Sequence, residues 1–451
     1  MDRGRLRRGQ AEVAGETVIS PATIEAPVPR ARPSSPTAAL AGAVALAAAM
    51  GIGRFAFTPL LPMMLADGAI DLHAASWLAS ANYLGYLAGA VLCTFQPWLW
   101  ARAPRLPAID GPRLVRAGLV ATALLTAAMA LPWPGAWPVL RFAAGVASAL
   151  VFVYGSGWCL AELAARGKPS LGGVMFAGPG AGIVLSGVFA SAMVALHWSS
   201  VAGWVTFGVL ASALGAAVWR IFGGRAARAG GGARSVEAAR APDPVVADAA
   251  SANAAAIEAR HGRTEIASLT FAYGLAGFGY IVTATFLPVI AREALPGSPW
   301  LDFFWPIFGV GVVTGALLST RLRITGDLRL LLAGAYAIQA AAIAASAWSP
   351  TLPGFALGSL MLGVPFTAIT FFAMQEVRRV RPARIARTIG LLTAAYGIGQ
   401  IVGPPLVALL LQRSRSTGAG FTFALETAAA ALLVGAVIFV GMSRAYPKSA
   451  G

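Results

Sequence analysis

The sequence predicts an all-helical membrane protein in which twelve spans form two pseudo-symmetric six-helix bundles. Three observations carry that prediction. The first is composition: 57% of the 451 residues are hydrophobic, only 12% are charged, and mean hydropathy is +0.71, whereas soluble domains carry about 25% charged residues. The second is that the apolar runs are continuous and about 20 residues or longer, the length a helix needs to cross a bilayer. A barrel strand would alternate polar and apolar residues instead. The third is a long polar interruption near residue 240, with six apolar runs on each side of it.

In order along the chain, residues 1–36 hold Arg3, Arg5, Arg7 and Arg8 followed by prolines and small polar residues. They read as a disordered cytosolic tail. They do not read as a cleaved signal peptide, because a full-length span carrying an intramembrane Arg follows. Spans are expected at 37–65, 75–98, 114–132, 137–163, 171–196 and 201–221. Residues 222–264, rich in Ala, Gly, Arg and Asp without apolar periodicity, form a cytosolic linker. The second set of spans is expected at 266–291, 301–321, 328–348, 353–377, 386–411 and 420–442. The domain reading is therefore a tail (1–36), an N-terminal bundle (37–221), the linker (222–264), a C-terminal bundle (265–442) and a short cytosolic tail (443–451).

The halves repeat one another. At one constant offset, Gly51, Gly53, Leu61 and Pro62 of span one meet Gly277, Gly279, Leu287 and Pro288 of span seven, and Arg54 meets Tyr280. Gly180 and Gly182 of span five parallel Gly397 and Gly399 of span eleven. Spans four and ten both end in a Glu followed by bases, Glu162 with Arg166 and Glu376 with Arg378 and Arg379.

Net charge is +16, but its placement argues against a nucleic-acid footprint. With the N-terminus inside, all of the 34 Lys and Arg except Arg54, Arg141, Arg292, Arg413 and Arg415 fall at cytosolic segments or helix ends. That bias sets topology and attracts anionic lipid head groups. The expected location is a bacterial cytoplasmic (inner) membrane, multi-pass, with both termini cytosolic. Cys93 and Cys159 stand in separate spans without a motif, and His73, His197 and His261 lie in or beside loops, so no metal site or cofactor is expected. The Gly-x-Gly patterns lie within spans, without the strand-to-helix context of a nucleotide loop, and no Walker pattern occurs. With no nucleophile–base pair either, an enzyme is not expected, and transport should be secondary.

The candidate site starts from Arg54, near the middle of span one. A guanidinium at that depth costs on the order of 3 kcal/mol on insertion scales. Gly51 and Gly53 let a helix or ligand approach beside it, and Pro59 and Pro62 invite a kink in the outer half. Asn82 and Tyr86 share one face of span two. Tyr154, Trp158 and Glu162 recur every fourth residue of span four and form one stripe. Tyr280 stands at the repeat position of Arg54, while spans ten and eleven add Phe372, Gln375, Tyr396 and Gln400. Each of these residues has a competing reading as helix packing. Glu162 with Arg166 and Glu376 with Arg379 read as ion pairs of an inner gate, both placed toward water. No Asp or Glu is expected at the centre of any span, which leaves Arg54 as the one central charge and favours a ligand bearing negative charge.

Four stretches carry a family resemblance: GIGRFAFTPLLPMM (51–64), ANYLGYLAGA (81–90), VYGSGWCLAELAARGKPSLGG (153–173) and GLLTAAYGIGQIVGPPL (390–406). On these the chain resembles the major facilitator superfamily, and within it the YbfB/YjiJ-like family. The resemblance implies two six-helix bundles around a central cavity that opens alternately to each side. The superfamily's loop motif after span two is not intact, since Trp98–Arg105 lacks its Asp. The proline-glycine motif of antiporter fifth helices is partly present at 177–182. The function expected is secondary transport of a small organic anion or amphoteric metabolite, with a coupling proton or counter-substrate and membrane lipids as partners. The alternatives are an efflux pump for amphipathic drugs and a non-transporting membrane sensor. Deleting 222–264 separates the sensor, which would keep flux and lose signalling.

Overall fold

A chain in hydrocarbon must bond every backbone group internally, and a helix does this within one segment. The computed structural model describes residues 33–102, 110–223, 262–298, 300–321, 326–382 and 384–446. Most of the tail (1–36) and linker (222–264), part of the loop after span two and the last residues of the C-terminal tail lie outside the described residues. Twelve crossing helices are present among the described residues. In the N-terminal half they are α1 (Ser35–Ala66), α2 (Leu72–Arg102), α3 (Gly111–Ala128), α4 (Trp137–Ala164), α5 (Gly172–Ala195) and α6 (Ser200–Val218). In the C-terminal half they are α7 (Arg263–Ala294), α8 (Phe304–Ser319), α9 (Leu328–Trp348), α10 (Leu352–Val380), α11 (Ile385–Arg413) and α12 (Thr417–Ala445). All but α3 have the length and apolarity of a membrane span on their own. α3 is 18 residues long and carries Arg113 and Arg116 near its start.

Local chemistry sets the helix starts. Ser34, Ser199, Asp327, Thr351 and Ser416 each accept a bond from a first-turn N–H, which satisfies one of the orphan donors there. Proline follows at the first turn of α1, α3, α4 and α10, where its missing N–H costs nothing.

Close packing within each half depends on glycine at repeat-related positions. A Cβ on Gly85 of α2 would lie 1.9 Å from Phe142 O of α4, and one on its repeat mate Gly311 of α8 would lie 2.5 Å from Leu360 O of α10. Gly51 sits on Gly182 between α1 and α5, as Gly277 and Gly274 sit on α11 around Gly399. The duplication read from the sequence is therefore also a duplication of helix contacts.

The end of the molecule where the described chain begins and finishes is here the tail face, and the opposite end the far face. Toward the far face the halves are joined at several levels. Gln412 bonds His73 (3.2 Å), Ser80 Oγ donates to Ile401 O (2.9 Å), and Ser191 Oγ donates to Asp302 O (3.2 Å). Thr58 Oγ1 donates to Ala284 O at 3.0 Å, and these residues are 226 positions apart, the offset of the repeat. Repeat mates that touch must straddle the pseudo-twofold axis, so the axis passes through this α1–α7 contact. α5 and α8 stay together along their length, from Gly187 against Pro306 to Gly173 against Thr320 at the tail face. α2 and α11 meet at Leu87 and Gly397 and remain within van der Waals reach at Thr94 and Gly390, two turns nearer the tail face.

A buried ionic hub closes the tail-face end of the C-terminal half. Arg329 of α9 pairs with Glu265 of α7 and with Glu376 of α10 (2.7 Å), and donates to Met442 O (2.9 Å) and Tyr446 O (2.7 Å) by α12. Arg379 adds a second partner to Glu376 at 2.7 Å. Glu376 is fully buried, contrary to its expected position toward water: α7, α9 and α12 converge on it. Removing one partner of such a cluster strands a buried charge, at a cost of about 3–5 kcal/mol.

Gly85→Ala is expected to destabilise by about 1–3 kcal/mol, the usual cost of overpacking, seen as a lower apparent melting temperature in detergent. Gly135→Ala, where a Cβ meets nothing within 4 Å, should leave that temperature unchanged.

Candidate functional site

α1 is not a simple kinked helix. Residues Ala47–Arg54 are wound as a π-helix, Phe55 and Ala56 form a turn, and a regular helix resumes at Phe57. The i→i−5 bond from Phe55 N to Met50 O (3.1 Å) marks the change. The repeat shows which residue causes it. α7 has the same two glycines and the same second proline, Pro288, yet runs unbroken from Arg263 to Ala294. Pro59 is the difference, because its repeat mate is Thr285. Lacking an N–H, Pro59 cannot bond Phe55 O, and its ring crowds that carbonyl.

The break frees carbonyls inside the bundle, and α4 supplies donors for them. Arg141 donates to Gly53 O (3.3 Å) and Arg54 O (3.1 Å), and Ser148 Oγ donates to Ala49 O (2.7 Å). Asn82 Nδ2 in turn donates to Arg141 O at 2.9 Å. Arg141 is 2% exposed. Arg54 is therefore not the one central charge: a second guanidinium lies against the same break. Asn82 is fully buried and bonds the α4 backbone through Nδ2, while its Oδ1 has no hydrogen-bond partner.

Arg54 itself is 3% exposed. Its Nη2 donates to Gln400 Oε1 at 2.6 Å, and Gln400 Nε2 donates to the Tyr280 hydroxyl. The guanidinium carbon lies 4.0 Å from the ring centre of Tyr86, 5.3 Å from Tyr83 and 5.5 Å from Phe55. Tyr280 stacks on Tyr396 (5.8 Å, 22°) and meets Phe366 edge-on (4.9 Å, 66°). Arg54 Nε has no hydrogen-bond partner, and neither does Arg141 Nε. Among the described residues no carboxylate pairs with either guanidinium. Aromatic faces recover part of the lost hydration, on the order of 2 kcal/mol for a desolvated contact, without supplying a negative charge.

Of the residues read from the sequence, Arg54, Tyr86, Tyr280, Tyr396 and Gln400 come together in this one layer. Tyr154 and Trp158 do not join it. Tyr154 OH donates to Gln96 Oε1 (3.3 Å), ten residues along α2 from Tyr86, about 15 Å at helical rise. Trp158 packs on Phe222 at 4.9 Å, in an apolar cluster with α1, α3 and α6. Their common stripe is thus spent on two separate helix contacts. Phe372 is buried against Phe371, and Gln375 is half-buried beside Glu376. The α10 aromatic at the site is Phe366 instead, one turn and a half nearer the start of that helix. Glu162 pairs with Arg166, which also donates to Pro33 O. That pair and Glu376–Arg379 each tie residues of one half. Tyr83 and Thr285, bonded to one another at 2.9 Å across the halves, were not among the expected residues; the repeat would have pointed to Thr285, the position that replaces Pro59.

The family described as "Uncharacterised MFS-type transporter YbfB" matches residues 46–246 and again 239–440. The chain belongs to this family of MFS transporters. Its fold is shared with the crystal structure of a mutant of the nucleoside transporter NupG, with a TM-score of 0.64 at 14% identity, over 90% of this chain and 99% of that one. NupG without the mutation gives 0.59 at 16%, over 90% and 98%. A D-xylose-proton symporter gives 0.63 at 14%, over 89% and 96%. No curated protein matches the sequence. The major facilitator fold expected from the sequence is therefore the fold of this MFS transporter.

Arg141→Met should remove both caps from the broken α1 and leave Gly53 O and Arg54 O unpaired. Each buried unpaired group costs about 1–3 kcal/mol, so the apparent melting temperature should fall clearly, and more than for Arg113→Met at the exposed start of α3.

Proposed function

We propose that this MFS transporter carries a small organic anion, or an amphoteric metabolite held by its carboxylate, across the bacterial cytoplasmic membrane by alternating access. One observation supports the substrate class above the others: two buried guanidiniums lie on the α1 break with no carboxylate among the described residues paired to them. A ligand with a carboxylate supplies the missing charge and accepts the unused N–H donors of Arg54, and an Arg fork suits a planar carboxylate. Tyr86, Tyr280 and Tyr396 would bound its organic part, since an aromatic ring offers broad apolar area with a polar edge.

The solved neighbours are titled for a nucleoside and for D-xylose with a proton. At 14% identity those names bear on the fold, and the substrate here is argued from Arg54. A gradient drives the cycle, with a proton or a counter-substrate as the coupled species. Rocking of the halves would break the far-face contacts, Thr58 to Ala284 and Ser80 to Ile401 among them, and bring the two halves together at the tail face. The Glu162–Arg166 and Glu376–Arg379 pairs keep the ends of α4 and α10 fixed to their own halves as these move. The distribution of Lys and Arg supports a cytosolic tail face.

The test is thermal stability of the purified protein against organic anions, zwitterions and cations. A ligand at 100 times its Kd stabilises by about 2.7 kcal/mol. Anions should raise the apparent melting temperature of the wild type, and Arg54→Gln should abolish the rise while folding normally. Stabilisation by unrelated amphipathic cations that survives Arg54→Gln would replace this reading with drug efflux through the aromatic layer.

A further inference from the structure

α2 and α11 stay within van der Waals reach from Leu87 and Gly397 to Thr94 and Gly390. Alongside this contact, between the two halves, is a cavity of about 1030 Å³, floored near Leu87 and Ala394 and reaching the start of α7. Leu87 and Ala394 stand next to Tyr86 and close to Tyr396 in sequence, so the cavity begins directly below the Arg54 layer. It is bounded by both halves of the transporter.

Its two ends differ in chemistry. The rim at the tail face carries Arg263 of α7, Arg381 and Arg384 from the α10–α11 connection, and Arg387 of α11. Arg381 already donates to Gly262 O at 3.4 Å, while Arg263 and Arg387 are exposed. No carboxylate lines the cavity among the described residues. Below the rim the wall is apolar. Val91 is 42% exposed, Phe95 55% and Leu391 49%, and the stretch from Leu87 to Phe95 runs about 12 Å along α2 at helical rise. A soluble anion has no use for such a wall, and an acyl chain does.

We infer that this crevice is a binding site for an anionic phospholipid, with the phosphate at Arg263 and Arg387 and an acyl chain along Val91, Phe95 and Leu391. Basic pockets between spans recognise anionic head groups through such charge clusters. The acyl chain leaves one apolar medium for another, so van der Waals packing along this wall, rather than release from water, holds it. Because one wall belongs to each half, the lipid bridges the two halves at the tail face and favours the conformation that is closed at the far face.

The experiment uses full-length protein in delipidated detergent micelles. Apparent melting temperature and lipid retention in native mass spectrometry are measured with phosphatidylglycerol, phosphatidylcholine or glycerol 3-phosphate. Phosphatidylglycerol should stabilise and be retained at a defined stoichiometry. In the double variant Arg263→Gln/Arg387→Gln the shift should fall by at least half and retention should be lost. The variant Arg113→Gln/Arg444→Gln, which removes the same charge at exposed tail-face positions, should keep both. Equal stabilisation by phosphatidylcholine would overturn the site, and so would an equal loss in the two double variants. A full effect from glycerol 3-phosphate would also overturn it, because the cavity would then serve a soluble anion without chains.

Discussion

The guanidinium of Arg54, buried at the break of α1 with no carboxylate paired to it among the described residues, is the constraint that the centre of this transporter is arranged around. Charge at this depth is tolerated only where protein or water takes over the role of solvent. Here Gln400 accepts one bond and three aromatic rings face the cation. The neighbouring Arg141 caps the carbonyls that the break exposes. Each of these interactions manages the desolvation of a cation, and none neutralises it. In the proposed function, the carboxylate of the substrate supplies the interaction that these contacts leave unmade.

The repeat explains how such a site arises from two similar halves. Both halves use the same glycines to pack α1 on α5 and α7 on α11, and α2 on α4 and α8 on α10. Two positions then depart from symmetry. Pro59 breaks α1 where Thr285 leaves α7 whole, and Arg54 places a cation where its mate Tyr280 offers a hydroxyl. Through Gln400, Arg54 and Tyr280 are joined across the axis, so one half contributes the charge and the other the polar and aromatic surface around it. The tail-face ends are also asymmetric: the C-terminal half is closed by the buried Arg329 hub, and the N-terminal half by the Glu162–Arg166 pair and its link to Pro33.

The fold was legible because its signals are long. Continuous apolar runs and a recurring glycine pattern survive small errors in any one helix boundary. Arg54, Tyr280, Tyr396 and Gln400 were legible for related reasons, being a lone central charge, its repeat mate and polar residues beside a glycine pair. Spacing did not reveal which neighbour a face meets. Asn82 and Tyr86 are four apart on α2, yet Asn82 is taken up by the α4 backbone while Tyr86 lies under Arg54. Tyr154 and Trp158 form a stripe that two different contacts consume. Arg141 stands in the sequence only as one of the five bases away from the cytosolic segments, with no role attached to it. Its long side chain reaches carbonyls that exist as free acceptors only because α1 is broken; the prolines pointed to a kink in the outer half of the span, and not to the π-wound turns at Ala47–Arg54 before it.

The most direct measurement of the central claim is uptake of radiolabelled organic carboxylates into proteoliposomes that contain the purified protein. The account predicts flux of a carboxylate-bearing solute in the wild type, lowered by at least about tenfold in Arg54→Gln, equivalent to ~1.4 kcal/mol, and partly kept in Arg54→Lys. Carboxylate flux that is unchanged in Arg54→Gln, or a wild type that moves only cations and neutral solutes, would contradict it.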